Sequence, residues 1–122
     1  MKKFALGVDI GGTNSKFGLV DAEGELHYSN SIKTNTAATP TRLVNAIYQE
    51  IKEKTNFIDE IAGVGIGAPN GNYFSGSIEF APNLAWKGIV PLASLFQQCF
   101  GVKAVLTNDA NAAAVGEQLY GN

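Results

Sequence analysis

The chain has 122 residues, of which 45% are apolar and 16% are charged, and its formal net charge is −2. This length is that of one domain, and the composition is that of a globular protein, which excludes a disordered chain. The charge gives no support for nucleic-acid binding, no apolar stretch is long enough to span a membrane, and the single cysteine, Cys99, excludes an internal disulfide.

The first part of the chain predicts three strands. Phe4–Ile10 and residues 15–20 are two apolar runs separated by a pair of glycines, which predicts a hairpin. Residues 21–24 have the composition of a turn, and residues 25–33 alternate well enough to form a third strand. The only histidine, His27, is expected at the surface of that strand.

A helix and a buried strand are predicted next. From Pro40 to about Lys54, apolar residues recur at spacings of three and four, which is typical of an amphipathic helix. Thr39 is the expected N-cap of this helix, because proline suits the first helical position that follows it. Residues 61–68 are rich in glycine and branched residues and predict a fourth strand that is buried on both faces.

The remaining chain begins with residues 69–88, a long irregular segment whose glycine and asparagine content suggests a functional or mobile loop. Residues 91–100 predict a short helix that stops at Gly101, residues 102–107 a fifth strand, and residues 110–120 a last helix. The order βββαβαβα is an α/β pattern with an antiparallel beginning and a parallel continuation. It predicts a mixed five-stranded sheet with flanking helices.

The most informative run is residues 9–14, Asp-Ile-Gly-Gly-Thr-Asn, which lies between the first two strands. Adjacent glycines let the chain turn tightly and bring backbone N–H groups close to an anion. Thr13 adds a hydroxyl donor, Lys16 a positive charge, and Asp9 a possible link to a cation, so that the unit could hold a nucleotide's phosphates with magnesium. The alternative is an ordinary hairpin with a Gly-Gly turn.

Two further groups of polar residues are candidates for a binding site. Asn108 and Asp109 end the fifth strand, at the edge where ligands gather in open α/β sheets, and a carboxylate there could accept a proton from a substrate hydroxyl. Asp109 could equally cap the next helix. In the long loop, Asn83 could bind vicinal sugar hydroxyls beside an apolar wall formed by Trp86, or the pair could cap a turn and anchor the core.

The sequence lacks the motifs that three other classes of site require. A P-loop motif is missing, and residues 65–70 have asparagine where the dinucleotide-binding fingerprint needs its last glycine. A Ser-His-Asp hydrolase is excluded because the sequence contains no nucleophile-elbow motif.

In this order, four runs of the sequence resemble the sugar kinases of the ROK family (repressor, open reading frame, kinase). That family belongs to the superfamily of actin, hexokinases and heat-shock chaperone ATPases. The matching runs are residues 9–14, 65–69, 81–86 and 107–113. The first run is shared by many members of the superfamily, whereas the four together are specific to the sugar-kinase branch.

The resemblance implies an RNase H-like lobe that uses ATP and Mg²⁺ to phosphorylate a hexose. It implies that a phosphate-binding run faces the ATP phosphates, with Asp9 near the magnesium through water. The residues of that run are Asp9, Gly11, Gly12, Thr13, Asn14 and Lys16. It also implies that the sugar is bound by Asn83, Asn108, Gly67 and Ala68, with Asp109 as the catalytic base.

Departures from the family pattern concern the sugar loop and the length. Asn70 stands where many members have glycine, and residues 83–86 are one residue shorter than the common form, so the identity of the hexose stays open. Residues 1–122 do not contain the runs of the family's C-terminal lobe, which carries the adenosine site and a Cys/His zinc motif. We therefore expect residues 1–122 to be the N-terminal lobe of a two-lobe kinase, with little activity by itself.

For the full-length protein we expect a cytoplasmic homodimer that binds hexose and ATP but neither nucleic acid nor membrane. Two alternatives stay open. One is the sugar-sensing domain of a ROK-type transcriptional regulator, and the other is a non-sugar ATPase of the same superfamily.

Overall fold

The computed structural model describes residues 2–34, 39–82 and 84–108. The predicted helix over residues 110–120 lies outside these residues. The elements in chain order are β1 (Phe4–Ile10), β2 (Asn14–Val20), β3 (Leu26–Lys33), α1 (Pro40–Lys54), a short 3-10 turn (Ile58–Glu60), β4 (Ile61–Gly67), β5 (Gly71–Asn72), β6 (Ser77–Glu79), β7 (Ile89–Val90), α2 (Leu92–Phe100) and β8 (Lys103–Thr107).

The principal sheet has five strands in the order β3-β2-β1-β4-β8. β1 pairs with β2, and β2 with β3, in antiparallel fashion. β4 lies parallel to β1 on one side and parallel to β8 on the other. The prediction of a mixed five-stranded sheet with an antiparallel beginning and a parallel continuation is confirmed.

The core lies between one face of this sheet and the two helices. Val8, Ile66 and Leu106 are opposite one another on β1, β4 and β8 and therefore share a face. These three side chains are buried in the same apolar cluster as Ile47 of α1 and Phe96 of α2. Because neighbouring residues of a strand point to opposite faces, Asp9 lies on the other face of the sheet.

α1 begins and ends where the sequence predicts, and α2 ends where predicted but begins at Leu92, one residue later than expected. The Thr39 hydroxyl accepts a hydrogen bond from the Arg42 N–H at 3.2 Å, and Pro40 occupies the first turn of α1. α2 ends at Gly101, whose φ of 70° lies in the left-handed region that glycine adopts without strain. Within the described residues, no helix is long and apolar enough to cross a membrane.

The segment 69–88 differs from the prediction, which treated it as irregular throughout. Together with β7, which follows it, it forms a second sheet of three short antiparallel strands in the order β5-β6-β7. Ile78 and Trp86 of this region are buried in the principal core. Strands of two or three residues are too short to show an alternating pattern, which explains why the sequence did not predict them.

The structure also shows how far Trp86 and Cys99 are buried. Trp86 is only 6% exposed and belongs to the principal core, which favours the alternative in which it anchors the core. Cys99 is half-buried against the core, and burial raises the pKa of its thiol.

The turn between β2 and β3 is held by Asp21. One carboxylate oxygen accepts hydrogen bonds from the N–H groups of Glu23 and Glu25, at 3.0 and 2.9 Å. The other lies 2.7 Å from Nε2 of the exposed His27. The hydrogen bond with His27, and then those from the backbone, lower the pKa of Asp21 below its ordinary value of 3.8.

We predict that this carboxylate makes stability depend on pH in the acid range. A carboxyl group whose pKa is lower in the folded state stabilises the fold above its unfolded pKa, and the contribution is lost as the pH falls through the folded pKa. Urea unfolding from pH 6 downwards should therefore show Asp21→Asn to be less stable at pH 6 and to converge with the parent protein in acid.

Asp59→Asn, a substitution at an exposed carboxylate of the 3-10 turn, is the matched control and should show no such convergence. A stability difference for Asp21→Asn that stays constant over the whole pH range would contradict this account.

Candidate active site

The carboxyl ends of the three parallel strands lie at one edge of the principal sheet. Asp9 of β1 is opposite Gly67 of β4, and Gly67 is opposite Thr107 of β8. Neighbouring strands are about 4.8 Å apart, so the backbones of Asp9 and Thr107 are separated by about 10 Å. The bend that follows β1 and the polar residues that follow β8 therefore begin at the same edge, where ligands of α/β sheets collect.

Residues 11–13 connect β1 to β2 in a tight bend. The Gly11 N–H donates to the carbonyl oxygen of Asn14 at 3.1 Å. A Cβ atom on Gly11 would lie 2.5 Å from this oxygen, so that any other residue requires a shift of the backbone. Gly12, Thr13 and Asn14 are exposed at the tip. Because the Gly11 N–H is already engaged, an anion would have to use other donors of the bend, such as those of Gly12 and Thr13.

The bend is anchored to β3 by a pair of buried hydroxyl groups that the sequence analysis missed. The side chains of Ser15 and Thr34 are hydrogen-bonded to each other, and neither residue is more than 2% exposed. The Thr34 N–H also donates to the Thr13 carbonyl oxygen at 2.8 Å. The sequence offers one indication of this pair: Ser15 lies two residues before Phe17 and four before Leu19, so all three point to the buried face of β2.

Asp9 and Lys16 are opposite each other on β1 and β2 and line a concavity of about 630 Å³. Asp9 is half-buried, and Lys16 is exposed. Gly7 and Gly18 also line this concavity and are likewise opposite each other. The Leu26 side chain packs over Gly18, with its Cδ1 atom 2.8 Å from the position that a Cβ atom there would take. One carboxylate and one ammonium group therefore lie next to the bend, which suits a divalent cation and an anion.

The end of β4 remains attached to β8 beyond the last paired residues. Gly67 and Ala68 are buried, and the Ala68 N–H donates to the Thr107 carbonyl oxygen at 3.0 Å. Asn108 is exposed just after β8 and lines a second concavity of about 470 Å³, between β8 and the hairpin of β5 and β6. Gly71 is required where the hairpin meets β8, because a Cβ atom there would lie 2.6 Å from the Thr107 carbonyl oxygen.

Asn83 and Asp109, which the sequence predicts as a sugar ligand and as the catalytic base, lie outside the described residues. The described part of the site thus contains the predicted phosphate-binding bend with Asp9 and Lys16. It also contains the predicted sugar-facing residues Gly67, Ala68 and Asn108.

Comparison with known proteins gives one family and two kinds of relative. The family model described as "ROK family" matches residues 5–122. A glucokinase of Streptomyces coelicolor is 40% identical over 117 residues, which are 95% of this chain and 36% of the relative. A xylose repressor of Caldicellulosiruptor bescii is 30% identical over 121 residues, 95% of this chain and 30% of the relative.

Solved structures give the same result. A ROK family glucokinase from Streptomyces griseus, in complex with glucose and AMPPNP, has a TM-score of 0.71 and 35% identity. The match covers 98% of this chain and 37% of that one. A putative N-acetylmannosamine kinase from Listeria monocytogenes, 24% identical with a TM-score of 0.70, shares the fold. The chain thus spans about a third of the length of the curated relatives it matches.

Proposed function

The chain belongs to the ROK family, and from that premise we propose that it is the N-terminal lobe of an ATP-dependent, glucokinase-like hexose kinase. One observation supports this above the others: the register of β1, β4 and β8 aligns Asp9, Gly67 and Thr107 in one row across the sheet. A phosphate-binding bend and a sugar-binding segment that start about 10 Å apart at one edge can serve a single transfer reaction.

On the nucleotide side, we assign phosphate binding to the bend. Its residues are Asp9, Gly11, Gly12, Thr13, Asn14 and Lys16. Mg²⁺ bound with ATP prefers oxygen ligands and keeps several waters, so the half-buried Asp9 carboxylate fits it as a partner through water. The metal would neutralise charge that develops on the phosphates. The role of Gly11 is to shape the bend, since its N–H is used within it.

On the sugar side, we assign hexose binding to Asn83, Asn108, Gly67 and Ala68, and the role of base to Asp109. Asp109 follows Asn108 in the chain, and Asn108 lies at the shared edge. In the proposed step a sugar hydroxyl oxygen forms a bond to the γ-phosphorus, and the bond from that phosphorus to the bridging oxygen of ADP breaks. The carboxylate accepts the hydroxyl proton.

A second candidate function is sugar sensing by a transcriptional regulator, which the similarity to a xylose repressor favours. The two candidates share the sugar-binding residues and differ in whether phosphate is transferred. A panel of hexoses tested on the full-length protein, by calorimetry and by a coupled ADP assay, separates them. Binding with turnover supports the kinase, and binding without turnover supports the sensor. The homodimer and the cytoplasmic location stay predictions.

We predict that Asp109→Asn in the full-length protein lowers kcat by about a hundredfold to ten-thousandfold, the range of general-base catalysis. The affinity for hexose should change modestly, because an amide still accepts a hydrogen bond at the same position. Steady-state kinetics and calorimetry measure the two effects, and Asp59→Asn is the control at an exposed carboxylate. Unchanged turnover would remove Asp109 from the role of base.

We also predict that Gly11→Ala in the full-length protein lowers kcat/KM for ATP by roughly a hundredfold, because the added Cβ displaces the bend from its position. Hexose affinity should stay within about twofold of the parent value, since the sugar side of the site is not moved.

Gly24→Ala is the matched control: it strains a glycine at φ 84° in the β2–β3 turn, with open space around its Cβ position. If both variants lose the same activity toward ATP, the effect of Gly11→Ala is one of general stability, and the bend has no special role.

A further inference from the structure

The concavity beside Asn108 contains a carboxylate that the proposed function does not use. About 470 Å³ of space lies between β8 and the hairpin of β5 and β6, and this volume is within the range of small-molecule sites. Glu79 of β6 lines it together with Tyr73, Phe74 and Asn108. The hairpin belongs to the segment that the sequence predicts to be an irregular, functional or mobile loop, but none of residues 71–79 is among the binding residues predicted from the sequence.

Glu79 is held in place by neighbouring side chains. Its Oε2 atom accepts hydrogen bonds from Asn72 Nδ2 at 3.2 Å and from the Ser75 hydroxyl at 3.3 Å. Asn72 is fixed in turn, because its Oδ1 accepts the N–H of Phe74 at 2.9 Å. No hydrogen bond among the described residues reaches Oε1 of Glu79. The carboxylate is therefore ordered before a ligand arrives and retains acceptor sites for it.

Two residues that contact or adjoin Glu79 have left-handed backbone. Asn70 and Phe80 adopt φ values of 54° and 55°, which asparagine takes more readily than most residues but which are strained for a bulky residue such as phenylalanine. The Asn70 side-chain amide donates to the carbonyl oxygens of Glu79 and Phe80, at 3.1 and 3.2 Å. Strained residues that the surrounding structure holds in place cluster at active sites, ligand-binding segments and switch regions.

Two aromatic rings accompany the carboxylate. Tyr73 and Phe74 are 55% and 95% exposed, and their rings meet edge to face with centroids 5.6 Å apart. Exposed aromatic side chains beside polar groups are typical of binding surfaces. A sugar offers both kinds of partner, because its hydroxyl groups donate hydrogen bonds and its C–H groups present apolar area.

We propose that this concavity is a second recognition subsite for the sugar substrate. Glu79 accepts hydrogen bonds from hydroxyl groups of the hexose that Asn108 binds, and Phe74 covers an apolar face of that sugar. The ligand class is a neutral hexose, and Glu79 discriminates between hexoses by the configuration of a hydroxyl group. This inference rests on the proposed function, which supplies the assignment of Asn108 to the sugar.

The test is Glu79→Gln in the full-length protein, with glucose and its epimers as substrates. Hydrogen bonds to a charged group contribute enough that KM for the preferred hexose, and its Kd measured by calorimetry without ATP, should rise about tenfold to a hundredfold. The ratio of kcat/KM for the preferred hexose to kcat/KM for its epimers should decrease. In contrast, kcat and KM for ATP should stay within about twofold, because the role proposed for the carboxylate is to bind sugar hydroxyl groups and not to take part in phosphate transfer.

Glu50→Gln is the matched control, because Glu50 likewise accepts a hydrogen bond from an asparagine amide at 3.2 Å, but on the remote helix α1. Phe74→Ala tests the same subsite at a residue whose exposure makes a folding defect unexpected, and it should also raise KM for hexose. Phe80→Ala is the control for Phe74→Ala, because the Phe80 ring is 69% exposed but does not line the concavity. This variant should leave KM for hexose unchanged.

The outcomes separate the two levels of inference. If the parent protein phosphorylates a hexose but Glu79→Gln and Phe74→Ala behave as their controls do, the subsite is overturned and the kinase proposal stands. If the parent protein binds hexose without turnover, the kinase proposal falls, and the Kd values still decide the role of Glu79. If it binds no hexose at all, both are overturned.

Discussion

The site depends on the register with which β4 pairs in parallel with β1 and β8. Val8, Ile66 and Leu106 are opposite one another and bury the core face of these strands. A slip of one residue would move the whole apolar set to the other face, so the burial of these side chains fixes the register. The same register aligns Asp9 with Thr107 across β4. The hydrophobic core thus determines which polar groups meet at the edge.

Both halves of the site are positioned by backbone contacts at small residues. The bend after β1 is closed by Gly11, whose missing Cβ allows its N–H to reach Asn14, and it is tied to β3 by Thr34. At the other end, Ala68 is hydrogen-bonded to Thr107, and Gly71 brings the β5–β6 hairpin against β8. Phosphoryl transfer relies on positioning more than on covalent chemistry, so a rigid frame of this kind suits the proposed reaction.

The sequence predicted the elements that have a strong local signal. α1 was recognised from its cap, its proline and its apolar spacing, and α2 from the glycine that ends it. The second sheet was not predicted, because β5, β6 and β7 have only two or three residues each and are too short to show an alternating pattern. The sequence also missed the Ser15–Thr34 pair, because 19 positions separate the two hydroxyls and no local rule links them.

By itself, the sequence determined the two described helices, the five principal strands and the presence of a glycine bend after an aspartate, because propensity, capping and periodicity act over a few residues. It also determined the family, through motifs that keep their order along the chain. The tertiary structure alone decided which residues share an edge, that the Gly11 N–H is engaged within the bend, and that Glu79 lines the same concavity as Asn108. The shared edge and the concavity result from strand pairing and packing between distant parts of the chain, which local sequence does not encode. The Gly11 hydrogen bond is local, but it depends on the exact backbone path of the bend, which composition and periodicity do not specify.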